Sequence, residues 1–422
     1  MDIGTFDKTN NKIDSIVVFF YVCLIFIGFI SISSATSVVN QKLYNLSPIA
    51  VKQLIWIAGA FIIVLSIIFS NIVVIDYFAY GFYAIAIALN IAVLFLGKEI
   101  SGAKSWFGYG GIGIQPSEFA KIATALALAK FLGTYGIRFQ GFKNIFICFV
   151  IFLVPFAIIL IQNDTGSALV FLAFFLVLYR EGLPGFILLS AAWFLILSIL
   201  RIMSEASGIS SFYGYGILLG LASMIVLFFR KDKGIVKITI LVAVLSSLFY
   251  TVVGTTYQQV LQPYQRDRIE LILGLKEDNK GVGFNLQQSK IAIGAGEFWG
   301  RGYMQGSQTK MGFVPAQHTD FIFDTIGEEW GFVGTLIFLL IFFGMILRIV
   351  ILAERQSTVF GRVFGYSLSC VLFIHLLINI GMTIGLTPVI GIPLPFVSYG
   401  GSSLWAFTLF LFIFLRVDQV RK

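Results

Sequence analysis

The chain has 422 residues, a net charge of +8 at pH 7 and a mean hydropathy of +0.94. Only 12% of its residues are charged, whereas a soluble domain carries roughly 25%, so the composition excludes an ordinary soluble protein. The Lys and Arg residues lie mostly between apolar runs without interleaved aromatics, which argues against a nucleic-acid groove. The three cysteines lie inside apolar runs and indicate packing residues, not disulfides or a metal site.

Twelve apolar segments approach or reach the length of about 20 residues that a membrane-spanning helix needs. In chain order they cover residues 15–33, 53–70, 74–97, 117–133, 144–161, 165–179, 184–203, 212–229, 235–257, 319–352, 359–386 and 400–415. The fourth and sixth are short. We therefore predict an all-α, polytopic membrane protein, with residues 1–422 as one integral-membrane domain.

The distribution of Lys and Arg predicts the orientation of these spans. With the N-terminus in the cytoplasm, sixteen Lys and Arg residues lie on the inner side and five lie in the short outer loops. Positive residues collect on the cytoplasmic side of membrane proteins, so both termini are predicted to be cytoplasmic. The long loop over residues 258–318 then lies outside the cell.

Ionisable groups fall within or beside two spans in the first half of the chain. Such a group costs roughly 2.5–3.5 kcal/mol at the bilayer centre, so each one is a candidate functional residue. Glu118 and Lys121 are three residues apart on a predicted helix, which fits either a site or a self-neutralising ion pair. Asp164, in a tight connection between spans, is either a site residue or the cap of the next helix.

Acidic residues also recur at the start of the tenth span. In a regular helix Asp320, Asp324 and Glu328 would lie on one face, with Glu329 beside them. Neighbouring carboxylates repel one another and need a cation, a basic partner or water; a solvated helix end is the alternative to a site. The pattern predicts a carboxylate-rich cavity at the outer leaflet, suited either to acid–base chemistry on an anionic amphiphile or to transport.

The long outer loop contains two further patterns. Polar and apolar residues alternate over residues 285–293, which predicts a short amphipathic helix on the membrane surface. The glycines that follow predict an irregular loop that approaches a ligand, and they are Gly294, Gly296, Gly300, Gly302, Gly306 and Gly312. Later in the chain, His375 and Asn379 are four residues apart and are predicted to form hydrogen bonds between helices.

Five motifs between about residue 100 and the C-terminus resemble, in their order, those of the SEDS family (shape, elongation, division and sporulation). They comprise residues 115–121 (QPSEFAK), 264–269 (YQ with RI), 287–294 (QQSKIAIG), 318–331 (HTDFIF and GEEWG) and 393–403 (PLPF and SYGGSS). Ile390 and Pro393 stand where division-type (FtsW) members typically carry Lys and Thr, so the chain is closest to the elongation-type (RodA) branch. Members usually have ten spans, which places an extra pair within residues 184–257.

The resemblance implies roles for individual residues. Asp320 is the implied catalytic carboxylate. The predicted substrate-binding residues are Glu118, Lys121, Arg268, Lys290, Gln265, His318 and Asp164, of which Arg268 and Lys290 are assigned to phosphate by their charge. Glu328 is the predicted ligand of a divalent cation, Mg²⁺ or Mn²⁺, because these ions prefer hard oxygen ligands and phosphates.

The implied activity is polymerisation of lipid II into glycan strands during cell elongation, in the bacterial cytoplasmic membrane and beside a class B penicillin-binding protein. Asp320 would act as general base on the acceptor hydroxyl, and an undecaprenyl-pyrophosphate-linked glycan would be the donor. Two alternatives remain open at the level of sequence. A lipid II flippase would also need a charged cavity, and a scaffold would only recruit the penicillin-binding protein.

Overall fold

The computed structural model describes residues 13–37, 47–100, 102–109, 112–134, 142–259, 282–310, 316–387 and 389–420, together with Pro263, Arg266 and Glu270. Within these residues every predicted span is mainly helical, and nine helices are long and apolar enough to cross a membrane. The predicted all-α membrane class is confirmed, and the protein is a multi-pass membrane protein.

The elements, numbered in chain order, are α1 (Ser15–Ala35), α2 (Pro48–Phe69), α3 (Ile72–Tyr77), α4 (Ala79–Leu96), β1 (Lys98–Ile100), β2 (Ala103–Tyr109), β3 (Ile112–Ile114), α5 (Pro116–Gly133), α6 (Phe142–Ile161), α7 (Thr165–Val170), α8 (Ala173–Arg180), α9 (Gly185–Ala206), α10 (Phe212–Phe228), α11 (Lys233–Gln259), α12 (Val282–Ala295), α13 (Ser307–Lys310), α14 (Ile322–Glu354), α15 (Val359–Ile384) and α16 (Gly401–Gln419). The third predicted span is two helices, α3 and α4, separated at Phe78.

Three short strands between α4 and α5 form an antiparallel sheet in the order β1-β2-β3. The sequence analysis did not predict this sheet. Two of its strands are only three residues long, and none has the sustained polar–apolar alternation that identifies a strand in a sequence. The sheet leads directly into α5, which carries Glu118 and Lys121.

One compact unit comprises Met1–Leu183, Leu286–Ile384 and Ile390–Lys422. Helices α5, α15 and α16 are mostly buried inside it. Helix α15 packs against α5, α8 and α14, so the helices that carry Glu118, Lys121 and Glu328 meet around it.

The second unit comprises Pro184–Asn285 with Gly385–Val389. Here α11 packs against both α9 and α10, and Leu197, Leu218 and Tyr250 form a small buried core. The segment to which the sequence analysis assigned an extra pair of spans therefore contains three helices.

Helix α14 is broken at Gly331, where φ is 62° and ψ is −159°. A Cβ atom at this position would lie 2.3 Å from the backbone nitrogen of Gly300, so a glycine is required. Residues 297–302 replace the hydrogen bonds that the break removes. The amides of Arg301 and Gly302 donate to the carbonyls of Glu328 and Glu329 at 3.0 and 2.9 Å, and the amides of Phe332 and Val333 donate to those of Glu297 and Phe298 at 3.0 and 3.2 Å.

Two of the loop glycines approach this broken helix. A Cβ atom on Gly296 would lie 1.9 Å from the carbonyl oxygen of Gly327, and one on Gly300 would lie 2.2 Å from that of Glu329. Gly312 lies outside the described residues. Gly296 and Gly300 were predicted to approach a ligand. They instead allow the loop backbone to dock on α14, because unpaired backbone groups at a membrane helix must be satisfied by the protein itself.

Candidate active site

Asp320 lies in a turn immediately before α14, which begins at Ile322. The prediction that Asp320 shares a regular helix face with Asp324 and Glu328 is therefore wrong. Three successive backbone carbonyls of this turn accept hydrogen bonds from outside it. His318 accepts from the Tyr399 amide at 2.9 Å, Thr319 from the Ser398 hydroxyl at 2.6 Å, and Asp320 from the Asn379 side chain at 2.8 Å.

The side chain of Asp320 is half-buried. Burial, and to a smaller extent repulsion by the Asp164 carboxylate, raise the pKa of this carboxyl to about 6. A Cβ atom on Gly391, where φ is +65°, would lie 3.1 Å from Oδ2 of Asp320. Asp320 thus has a pKa close to neutrality and a glycine beside its carboxylate, two properties that suit a general base.

Asp164 caps α7: its Oδ1 accepts a hydrogen bond from the Ser167 amide at 3.0 Å. The capping role left open by the sequence analysis is present. Its Oδ2 accepts a second hydrogen bond, at 2.7 Å, from the amide group of Gln115, which precedes α5. Asp164 also raises the pKa of Asp320. It is therefore both the cap of α7 and a neighbour of the candidate site, the two roles that the sequence left as alternatives.

Glu118 and Lys121 form an ion pair of 2.8 Å, and each side chain is only 1% exposed. The Lys121 ammonium also contacts Nε2 of His375 at 2.9 Å and lies 5.0 Å from the centre of the Phe407 ring. The structure therefore holds Lys121 on three sides. Such a group acts on its protein neighbours and does not face an open cavity.

Each of the three carboxylates near the start of α14 has its own hydrogen-bond partners. The Ser289 hydroxyl of α12 lies 2.8 Å from Asp324, Ser34 of α1 donates to Glu329, and Glu328 is bound by residues of α13. All three carboxylates are buried. The solvated helix end that was the alternative to a site is therefore wrong, and hydroxyl and amide groups are among the partners of these carboxylates.

Glu328 is the predicted metal ligand, and its surroundings do not fit that role. Its two oxygens accept hydrogen bonds from the amides of Gln308 and Thr309, at 2.8 and 2.9 Å, and from the hydroxyl of Thr309 at 2.8 Å. Among the described residues no group of three or more His, Cys, Asp and Glu side chains could hold a metal ion. No step of the reaction is therefore assigned to a bound cation.

Four predicted binding residues remain, and the structure describes two of them, His318 and Lys290. His318 is half-buried, its ring packs edge-on against Tyr399, and burial lowers its pKa, so the ring is neutral at physiological pH. Lys290 is exposed on α12. The helix predicted for this segment is present, and one of its apolar side chains, that of Ile291, is 43% exposed. Gln265 and Arg268 lie outside the described residues.

Sequence reasoning missed the residues that hold the Asp320 turn. Asn379 had been assigned only an inter-helix hydrogen bond, and Ser398 no role. Asn379 donates both to the Asp320 carbonyl and, at 2.7 Å, to that of Ile392. A buried amide in an otherwise apolar helix was the available signal, since such groups require partners.

The family model described as "Cell cycle protein", which covers FtsW, RodA and SpoVE, matches residues 14–212 and 209–422. This chain belongs to that family. The peptidoglycan glycosyltransferase MrdB of Escherichia coli (strain K12) is 35% identical over 323 residues, which cover 76% of this chain and 72% of the relative. The peptidoglycan glycosyltransferase RodA of Treponema pallidum (strain Nichols) is 32% identical over 415 residues, covering 93% and 94%.

Two solved structures extend the likeness to nearly the whole chain. A chain from a peptidoglycan synthase complex that coordinates polymerization and crosslinking is 25% identical, with a TM-score of 0.70 and coverage of 97% and 99%. The rod shape determining protein RodA of Thermus thermophilus has a TM-score of 0.61 at 22% identity, with coverage of 97% of each chain. The second comparison shows the fold shared with that family member.

Proposed function

We propose that this protein is a peptidoglycan glycosyltransferase that polymerises lipid II into glycan strands during cell elongation. The observation that carries the proposal is the Asp320 carboxyl: half-buried, with a pKa of about 6, in the segment that matches the family motif. Relatives named for this activity support it, among them MrdB and RodA. Neither a flippase nor a scaffold requires a base at this position.

In the proposed reaction Asp320 accepts the proton of the acceptor 4-hydroxyl on N-acetylglucosamine. The hydroxyl oxygen then forms a bond to the anomeric carbon of the donor glycan, while the bond from that carbon to the undecaprenyl pyrophosphate breaks. The pyrophosphate leaves as an anion and needs stabilisation of its charge, for which we propose Lys290 and Arg268. Glu118 and Lys121 are proposed to shape the site from inside the protein.

Purified protein with lipid II tests this proposal, in the presence of a moenomycin-type inhibitor that silences contaminating transglycosylases. We expect Asp320→Asn to reduce polymer formation by at least ~10²-fold, the lower end of what a general base contributes. The matched control is Asp324→Asn, a buried aspartate four residues on that bonds to Ser289. Wild-type polymer yield from Asp320→Asn would reject the base, and flipping without polymer would favour the transporter.

We further propose that the protein works beside a class B penicillin-binding protein that cross-links its product. Support comes from the similarity to a chain of a complex that coordinates polymerization and crosslinking. Co-purification with that transpeptidase, and stimulation of polymerisation by it, are the expected results. An unchanged rate and no complex at micromolar concentrations would contradict this partnership.

The proposed orientation places the Asp320 end of α14 outside the cytoplasm, in the bacterial cytoplasmic membrane, with both termini inside. Gln305 and Ser357 are exposed residues near opposite ends of α14. Gln305→Cys should be labelled by an impermeant thiol reagent in intact spheroplasts, and Ser357→Cys only after they are opened. The reverse pattern would invert the topology.

A further inference from the structure

One face of α15 contacts both the buried ion pair and the Asp320 turn. His375 and Asn379 are four residues apart on this helix and are fully buried. His375 contacts Lys121, and Asn379 donates to the carbonyl of Asp320. Both side chains also bind the same short segment, because Asn379 donates to Ile392 and His375 contacts the carbonyl of Pro393 at 3.0 Å.

The partners of His375 fix its hydrogen-bonding state. A backbone carbonyl can only accept, so Nδ1 carries the hydrogen and donates it to Pro393. Nε2 then presents a lone pair to the Lys121 ammonium, which is a donor. The ring also packs edge-on against Phe407, at 4.9 Å between centres and 88° between planes, which favours this orientation.

The segment held by these two residues lies against the proposed base. Gly391 is the neighbour of the Asp320 carboxylate, and Ile392 and Pro393 follow it directly. On its other side the segment meets α7, where a Cβ atom on Gly166 would lie 2.7 Å from the carbonyl of Ile390. A change in the position of this segment would therefore alter the surroundings of Asp320.

We propose that His375 and Asn379 are positioning residues that couple the buried Glu118–Lys121 pair to the Asp320 carboxylate through residues 390–393. This role rests on the proposed function and adds to it. Lys121 orients His375, His375 and Asn379 fix the segment, and Asn379 fixes the Asp320 turn. The ion pair then acts on the reaction without contact with the substrate.

The test is the pH profile of kcat for lipid II polymerisation. The groups that set the acid limb at Asp320 are its own carboxyl and Asp164, the cap of α7; His318 in the same turn is neutral. We expect Asn379→Leu to lower kcat by ~10-fold to ~10²-fold, since a displacement of about 1 Å can have that effect. The acid limb should also move to lower pH, because the released turn exposes Asp320 to water.

His375→Phe should also lower kcat and move the acid limb to lower pH. His375→Gln should recover part of kcat, because its amide oxygen can accept from Lys121. Ser367→Ala is the matched control: Ser367 is a buried residue of α15 whose hydroxyl donates to the carbonyl of Val363 in its own helix. Asn379→Ser keeps one hydrogen-bonding group and replaces Asn379→Leu if the leucine variant does not fold.

The proposal is overturned if the variants of Asn379 and His375 keep the wild-type acid limb, as Ser367→Ala should, whether kcat falls or not. A fall in kcat alone is what a packing defect produces. A shift of the acid limb together with partial recovery in His375→Gln supports the positioning role. If the wild-type protein forms no polymer at all, the proposed function fails instead, and the two failures are distinguishable.

Discussion

The two ends of α14 neutralise their charges in opposite ways. At the C-terminal end, Arg348 pairs with Asp14 at 2.7 Å and Arg355 with Asp418 at 2.5 Å, and both guanidinium groups are partly exposed. At the N-terminal end, Asp324, Glu328 and Glu329 are buried and bind neutral hydroxyl and amide donors. One end depends on opposite charges near water, and the other on donors built into neighbouring segments.

This difference predicts where α14 is sensitive to mutation. An exposed ion pair contributes about 0–1 kcal/mol, because water and salt screen it. A buried carboxylate that loses its donors costs about 1–3 kcal/mol or more, because nothing replaces them. Loss of the acceptor at Glu328 should therefore destabilise the protein far more than loss of Glu354, whose ion pair with Arg180 is exposed on both sides.

The largest effect is expected at the break in α14. Gly331→Ala would place a methyl group 2.3 Å from the Gly300 nitrogen at a positive φ, so the loop and helix cannot keep their contact. We expect little folded protein by size-exclusion chromatography. Gly344→Ala in the same helix is the control, since its methyl group meets only the Phe20 ring at 3.1 Å. Equal yields of folded protein from the two variants would mean that both halves of α14 tolerate an added methyl group equally well.

The next largest effect concerns Glu328. Glu328→Leu removes the acceptor for two backbone amides and a hydroxyl of α13, and should lower the free energy of unfolding by about 3 kcal/mol. Glu354→Leu, at the other end of α14, removes an exposed partner of Arg180 and should have a much smaller effect. Thermal unfolding in detergent measures both. A larger loss in Glu354→Leu would reverse the comparison.

A smaller effect of opposite sign is expected at Asp320. Its pKa is raised from 3.8 to about 6, so the protonated form is favoured by folding. The associated stability is complete below pH 3.8 and is lost as the pH rises through about 6. Asp320→Asn should therefore match the wild type near pH 4 and be more stable at pH 8. The shift corresponds to about 3 kcal/mol, and the partial exposure of the carboxyl reduces the expected gain to roughly 1–3 kcal/mol. Parallel melting curves at both pH values would contradict this assignment.

The smallest effect is expected for Asp324→Asn. The Ser289 hydroxyl lies 2.8 Å from both Asp324 Oδ1 and the Thr383 carbonyl, and its single hydrogen cannot serve two acceptors. An asparagine can donate to the hydroxyl, so the melting temperature should change little. Asp324→Ala should lower it by several degrees. If the asparagine variant were as unstable as the alanine variant, the donor argument would be wrong.

The sequence was sufficient to predict the helical membrane class, the segments that form helices and the Glu118–Lys121 pair. Hydropathy and i,i+3 spacing are local properties, so they can be read from neighbouring residues. The contacts of Asp320 could not be predicted in this way. Asn379 is 59 residues from Asp320 along the chain, and Ser398 is 79 residues from Thr319, yet both side chains bind this turn. The acidic stripe was likewise misread, because the donors for Glu328 come from α13, before the helix begins.

The docking of residues 297–302 on α14 has a consequence for biosynthesis. This segment leaves the ribosome before α14 does, and it carries the groups that complete the hydrogen bonding of the helix at Gly331. A lipid-facing helix with four unmet backbone groups is costly to insert, so the loop and the nascent helix should enter the membrane region as one unit. Deletions or insertions between residues 296 and 302 should then lead to degradation during membrane insertion, before any catalytic defect can be observed.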